Sequence, residues 1–341
     1  MSIKALLNTL GTECRTLPLV ILYVTEGCNL RCISCSYRTP SPGEMTLEKI
    51  ARLAGALKVS GLRHIVFSGG EPLLRKDFPD ICALFESGDI RQTLLTNGLL
   101  LEKRFADIAR FLGEIIVSLD GPDAGTHNAI RGVDSYGQIL RGIRLAIRGG
   151  GEISVRTVVQ KRNFRKMTAI VRSARDLGVS KISFLAVDAR SEGFGRASRG
   201  PVVPGEELLL DAAEVLEFRS VIGDMARDCR EEFSSSFIAE PPEKLMRMAD
   251  YFDALNGNGE FPRTTCNAPM VSAVITSTGD LLPCYFLPRY GNIREAPLSR
   301  LLNGAEIRST RRDVRAGTPA ACKTCVCTLD VSPARALLGR F

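Results

Sequence analysis

The sequence predicts an α/β protein, a parallel sheet closed or partly closed into a barrel, followed by a small cysteine-bearing region of hairpin and helix. Three observations carry this. Short Val- and Ile-rich runs alternate with amphipathic stretches from about residue 17 to residue 188. Several of those runs are apolar throughout, as strands covered on both faces must be. Past residue 188 the pattern changes, first to a Gly-, Arg-, Ser- and Pro-rich stretch at 191–205, then from 264 to short segments carrying cysteines.

In order, strands are expected at 19–25, 64–68, 92–96, 114–119, 153–159 and 181–187, with helices at 47–60, 77–86, 101–111, 136–148 and 165–177 between them. Gly61 and Gly178 stand where helix C-caps belong. Strand–helix units at this steady spacing imply right-handed crossovers between parallel neighbours. Residues 206–232 and 240–255 read as helical, and Ser277-Thr278-Gly279-Asp280 separates two apolar runs, 270–276 and 281–286, as a hairpin turn does. The division expected is a segment 1–17, a barrel 18–200, a helical connector 201–262 and a C-terminal unit 263–341.

The chain has 341 residues, 45% hydrophobic and 24% charged, a globular balance rather than a disordered one. A net charge of +7 is mild and supports solubility more than nucleic-acid binding, so nucleic acid is not an expected partner. No apolar run approaches the roughly 20 residues that cross a bilayer, and the first residues lack a signal-peptide region; a cytoplasmic location is expected. There are 11 Cys and only 2 His. An odd number of cysteines in a chain this long argues for metal binding over a disulfide framework, and the scarcity of His leaves thiolates to do it.

Directly after the first strand stand Cys28, Cys32 and Cys35, spaced C-x3-C-x2-C. Three thiolates on one tight loop suit a cubane with one open iron; the competing readings are a zinc knuckle short of a ligand or three chance cysteines in a Cys-rich chain. After the second strand comes Ser68-Gly69-Gly70-Glu71-Pro72, after the third Thr96-Asn97-Gly98, and at the end of the fourth Ser118-Leu119-Asp120-Gly121. Each alone is an ordinary turn. Together they fall at C-terminal strand ends, the face on which barrel folds place chemistry.

On Cys28, Cys32 and Cys35, on Gly69-Gly70-Glu71-Pro72 and on Ser118 with Asp120, the chain over roughly 18–190 resembles the radical S-adenosylmethionine (radical SAM) superfamily. The resemblance implies a partial (βα)6 TIM-type barrel. It also implies a 4Fe–4S cluster on the three cysteines whose open iron chelates SAM, and a 5′-deoxyadenosyl radical that abstracts hydrogen from substrate. By the same resemblance Gly69, Gly70 and Glu71 line the methionyl ammonium, with Pro72 stiffening the exit. Ser118 and Asp120 would hold the ribose or carboxylate, and Val187 the adenine. Arg156, a charge in an apolar strand, pairs with the SAM carboxylate or faces solvent at the strand end. Ser34 departs from the aromatic residue usual before the third cysteine, leaving Tyr37 as a substitute adenine contact.

Five further cysteines cluster late: Cys266, Cys284, Cys322, Cys325 and Cys327. Four thiolates suit an all-cysteine zinc site or a fully ligated iron–sulfur cluster. The arrangement Cys266-x12-Gly279-x4-Cys284 resembles the SPASM and Twitch extensions of radical SAM enzymes. That resemblance implies one auxiliary 4Fe–4S cluster on Cys266, Cys284, Cys322 and Cys325, with Cys327 replacing Cys325 or standing beside it. A fully ligated cluster favours electron transfer.

Cys14, Cys82 and Cys229 read as small buried residues. His64 reads as structural, while His127 is a loop residue, solvated or approaching the active site as a catalytic candidate. Asp188 is the other catalytic candidate, with Arg190 and Glu192 beside it past the sixth strand. Arg308, Arg311, Arg312 and Arg315 form a basic helical run, a solvated face or an RNA contact. With only about 18 residues before the first strand, a small metabolite of sugar, aminocyclitol or nucleoside type is expected as substrate, undergoing oxidation, cyclisation or rearrangement. The competing expectations are radical modification of a ribosomal peptide or protein side chain and a non-catalytic iron–sulfur or zinc module. The partner expected for an enzyme is an electron donor such as flavodoxin or ferredoxin.

Overall fold

The computed structural model describes residues 3–263, 265–325 and 327–338. Its strands are β1 (Leu19–Thr25), β2 (His64–Gly69), β3 (Arg91–Thr96), β4 (Glu114–Ser118), β5 (Ile153–Val159), β6 (Ile182–Ala186), β7 (Ser272–Ile275), β8 (Asp280–Leu282) and β9 (Gly291–Asn292). They form one sheet in the order β6-β5-β4-β3-β2-β1-β7-β8-β9. From β6 to β7 every pairing is parallel, and β7-β8 and β8-β9 are antiparallel. The six expected barrel strands are all present. The sheet ends at β6 and β9 without closing, which makes it a partial barrel.

The C-terminal hairpin is not a detached unit. β7 pairs with β1 from Leu19↔Ser272 to Leu22↔Ile275, so the strand that opens the barrel has a neighbour on each side. The reason lies in β1 itself: Leu-Val-Ile-Leu-Tyr-Val-Thr leaves no polar face to turn to water, and an exposed edge of that composition would template aggregation.

Helices α1 (Ile3–Leu10), α2 (Leu47–Val59), α3 (Phe78–Leu84), α4 (Leu101–Ile108), α5 (Ala124–Arg131), α6 (Tyr136–Arg148) and α7 (Met167–Leu177) precede the connector. The Thr46 side chain caps α2 by accepting from Lys49 N, and Gly178 ends α7 in the left-handed region. α5 was not expected, because its eight residues carry no helical apolar stripe. Its ends were readable nonetheless: Asp123 accepts from Thr126 N, and Gly132 closes it at φ +70°. Helix Pro242–Leu255 packs on β6 and against helix Ala212–Asp228, and at that edge Ile182 bridges Ile238 and Phe184 N donates to Glu240 Oε2 at 2.7 Å.

The first residues are built into the C-terminal region. Ala5 is buried with Met270, Val271, Val331 and Ala336, and Asn8 Nδ2 donates to Met270 O at 2.9 Å. The basic run is only partly a solvated face: Arg311 is buried and donates to the carbonyls of Pro269, Thr12 and Leu302, while Arg315 donates to those of Thr9, Leu10 and Gly11. These guanidiniums satisfy chain carbonyls at the junction, which removes Arg311 from any RNA-facing role. Among the described residues no helix is long and apolar enough to cross a membrane.

Candidate functional site

The loop after β1 carries Cys28, Cys32 and Cys35, and three neighbouring segments hold it. Arg31 N and Ile33 N donate to Arg131 O and Ile130 O at the end of α5, at 3.0 and 3.1 Å. Ser36 N donates to Phe194 O at 2.9 Å, which Phe194 reaches from a left-handed backbone at φ +57°. Gly70 N and Glu71 N donate to Thr25 O and Gly27 O at 2.7 and 2.8 Å, latching the turn after β2 onto the start of the loop. A Cβ on Gly69 would lie 2.2 Å from Thr25 O and one on Gly70 2.2 Å from Gly27 O, so both positions exclude a side chain.

The Cys28 and Cys35 thiols are kept protonated by their surroundings. Burial, then the neighbouring Cys32 and Cys28, push Cys35 up to about 12, and burial raises Cys28 as well. A bound metal group reverses that balance, because coordination deprotonates thiols outright. Donors already point at two of the sulfurs: Asn97 Nδ2 lies 3.8 Å from Cys28 Sγ and Arg131 Nη1 3.7 Å from Cys32 Sγ. The Nε of that same buried guanidinium has no partner among the described residues, a donor waiting for an acceptor the chain does not supply. The donor set and the orphaned N–H both fit an iron–sulfur group.

The remaining expected residues fall in different places. Glu71 is fully buried, and its carboxylate accepts from Leu73 N at 3.0 Å, Thr96 Oγ1 at 2.8 Å and Asn97 N at 2.8 Å; burial pushes it up to about 7. Its side chain therefore braces the turn after β3, and what this segment offers a ligand is backbone. Pro72 is buried in the short turn that follows. Asp120 is buried against Arg131, Oδ2 to Nη2 at 2.6 Å, and accepts from Val158 N at 2.9 Å. Ser118 ends β4 opposite Arg156 of β5, and Val187 is buried just past β6.

The two catalytic candidates are both occupied. His127 lies in α5, fully buried: Asp120 N donates to its Nδ1 at 3.3 Å, its ring packs on Tyr136, and burial lowers it to about 3. Asp188 is paired with the buried Arg196, which also donates to Ser34 O at 3.2 Å and so ties the 188–200 segment across the cysteine loop. Asn97, Arg131 and Phe194 escaped the sequence reading as site residues, although Asn97 stood in a noted turn and Arg131 one residue before a helix-closing glycine.

The second site is a cavity of about 930 Å³. One wall is the inner sheet face, where residues two apart along a strand point the same way: Leu19 and Ile21, His64 and Val66, Thr93 and Leu95, Glu114 and Ile116. Arg156 also faces in, its Nε donating to Ser183 Oγ at 3.1 Å and its charge bearing on Cys327 and Tyr285. The opposite wall carries Cys266, Cys284, Cys322, Cys325 and Cys327. Burial, and then Cys266 and Cys322, push Cys284 up to about 11; burial also raises Cys325, with Cys327, Cys266 and Cys284 adding to it. Among the described residues no three acidic, His or Cys side chains draw close enough to grip a single ion, so these thiols rim a space rather than a point.

Comparison with known proteins decides what the three-cysteine loop belongs to. Residues 22–184 match the radical SAM superfamily, and residues 266–326 match an iron–sulfur cluster-binding domain, SPASM. The chain is a radical SAM enzyme with a SPASM-type extension. This radical SAM enzyme is 26% identical over 305 residues to the AdoMet-dependent heme synthase of Methanosarcina barkeri, covering 86% of this chain and 84% of that one. Over 131 residues, 37% of this chain and 44% of the other, it is 42% identical to a probable GTP 3′,8-cyclase of Archaeoglobus fulgidus. Its fold is that of the AdoMet-bound anSMEcpe, with a TM-score of 0.64 at 18% identity, covering 95% of this chain and 92% of that one. Streptococcus suis SuiB with its precursor peptide gives 0.63 at 17% identity, with coverage of 87% and 67%. The family brings SAM and a 4Fe–4S cluster to the radical SAM domain and auxiliary iron–sulfur chemistry to the SPASM domain.

Proposed function

We propose that this radical SAM enzyme abstracts hydrogen from a small organic molecule seated in the barrel cavity, giving net oxidation, cyclisation or rearrangement. The observation that carries the reading is one cavity of about 930 Å³ walled on one side by the sheet face and on the other by five cysteines. SAM with its cluster, when bound, supplies the 5′-deoxyadenosyl radical. The chain's own work is to seat and shield it. Cys28, Cys32 and Cys35 would hold the cluster, the backbone at Gly69 and Gly70 the amino end of SAM, and Ser118, Arg156 and Val187 its other groups.

Cys266, Cys284, Cys322 and Cys325 would hold the auxiliary cluster, with Cys327 as the alternative fourth ligand, which sets an electron acceptor against the substrate and favours an oxidised product. The apolar strand residues suit a molecule with an apolar body, of nucleoside size or larger, better than a sugar or aminocyclitol. The heme synthase relative, alignable over 86% of this chain, supports a small-molecule substrate over a polymer. A flavodoxin or ferredoxin would deliver the electron.

Anaerobic reconstitution followed by iron and sulfide counting tests this, with about eight irons per chain expected from two cubanes. SAM plus a strong reductant should then release 5′-deoxyadenosine, and a deuterated substrate should pass its label into it. Intact SAM in the presence of both clusters would sink the enzymatic reading, and label transfer only from a peptide would replace the small molecule.

A further inference from the structure

We infer that Arg131, braced by Asp120, sets the reduction potential of the cluster on Cys28, Cys32 and Cys35, and this rests on the ligand assignment proposed above. Arg131 Nη1 points at Cys32 Sγ from 3.7 Å, while Nη2 is held by Asp120 Oδ2 at 2.6 Å. The ion pair is thus oriented, cation toward sulfur and anion away from it. Asp120 is itself fixed, Oδ1 accepting from Val158 N and its carbonyl from Asn163 Nδ2. The Arg131 carbonyl accepts from Arg31 N on the cysteine loop, so guanidinium and thiol move together.

Adding an electron to an iron–sulfur cluster adds negative charge, so an N–H donor and a cation at a ligand sulfur stabilise the reduced form and raise the potential. The three sulfurs are served unequally. Cys28 receives a neutral amide from Asn97 at 3.8 Å, and Cys35 faces the Phe194 carbonyl at 3.8 Å rather than a side-chain donor. Among the described residues, Cys32 is the one of the three whose sulfur takes a charged side-chain donor, while Arg38 bears on Cys35 through space. Arg131 is accordingly a positioning and tuning residue, outside the set of residues that line the substrate cavity.

The test is a potentiometric titration of the full-length reconstituted enzyme, following the reduced-cluster EPR signal that responds to SAM. Removing Arg131 alone would strand a buried carboxylate, so the informative change is the double variant Asp120→Asn/Arg131→Met, which removes both charges together. At fixed applied potential its reduced-to-oxidised ratio should fall about tenfold, equal to about 59 mV for a one-electron couple. Arg131→Lys should recover most of that loss, and Asp120→Asn/Arg131→Gln, a neutral donor that leaves no stranded carboxylate, should fall between; these two decide the matter if the first double variant does not fold. A ratio within twofold of the parent in every variant that keeps its iron would overturn the inference. The ligand assignment beneath the inference fails separately: a SAM-responsive signal that persists in Cys28→Ala/Cys32→Ala/Cys35→Ala would show that these cysteines do not hold the cluster.

Discussion

The Glu71 carboxylate accepts the backbone N–H of Asn97 at 2.8 Å, and the Asn97 side chain in turn reaches Cys28 Sγ at 3.8 Å. One buried acid thereby couples the turn after β2, the turn after β3 and the cysteine loop after β1. The Asn97 amide also donates to Asn29 Oδ1 at 2.8 Å, so the coupling fixes the loop on the strand-end face rather than only touching it.

Glu71→Gln should loosen that coupling. All three groups around the carboxylate are donors, Leu73 N, Thr96 Oγ1 and Asn97 N, and a Gln amide must present its own N–H₂ to one of them. The cost expected is about 1–3 kcal/mol in urea denaturation. Iron incorporation should drop with it, and a variant as stable as the parent would show that the acid is not bracing these turns.

Gly70→Ala should fail more sharply than an exposed glycine. Its Cβ would meet Gly27 O at 2.2 Å, a backbone atom that cannot rotate away. Gly150, with nothing within 4 Å of the same Cβ, is the control, though its φ of +81° brings its own strain. Iron bound after reconstitution is the readout: a large loss for Gly70→Ala and little change for Gly150→Ala.

Much of this was legible from spacing. The six barrel strands follow from Val- and Ile-rich runs at steady intervals, and the turn motifs at their ends place the chemistry on one face. What the pattern could not reveal was partnership. Asp120 and Glu71 read as ligand-facing acids because a sequence shows a carboxylate's position and not the buried Arg131 or backbone N–H it is spent on. The same holds for β7, whose pairing with β1 joins residues some 250 apart in the chain and leaves no local signal.

Cysteine substitutions should divide the iron count. Cys32→Ala, or Cys322→Ala/Cys325→Ala, should each reduce iron from about eight to about four per chain. Cys327→Ala separates the two candidates for the fourth auxiliary ligand, since Cys325 Sγ already contacts the Cys327 carbonyl at 2.8 Å and only one of the two thiols is needed. Full iron in Cys327→Ala with loss in Cys325→Ala assigns Cys325, and the reverse assigns Cys327.

Asp188→Ala should free the segment that crosses the cysteine loop. It strands the buried Arg196 guanidinium, and losing one partner of a buried pair costs about 3–5 kcal/mol where no rearrangement relieves it. Limited proteolysis should then cut faster between 191 and 205 while the barrel stays resistant. SAM cleavage should continue, uncoupled from product. Complete loss of 5′-deoxyadenosine with unchanged proteolysis would instead put Asp188 in the chemistry.

His127 gives the acid limb of stability a particular sign. Burial lowers it from 6.5 to about 3, so between those values the unfolded chain binds a proton that the folded chain refuses. Its contribution is therefore complete above pH 6.5 and is lost as pH falls, at about 1.4 kcal/mol per unit. Glu71 runs the other way, since an acid raised to about 7 adds stability as pH falls from 7 toward 4.5. His127→Asn keeps an acceptor for Asp120 N and gives up both the titration and the ring contact with Tyr136. At pH 7 the variant should be less stable by about 1–2 kcal/mol from lost packing. Between pH 6.5 and 4.5 its stability should decline less steeply than the parent's, and curves that stay parallel over that range would remove His127 as the source of the acid sensitivity.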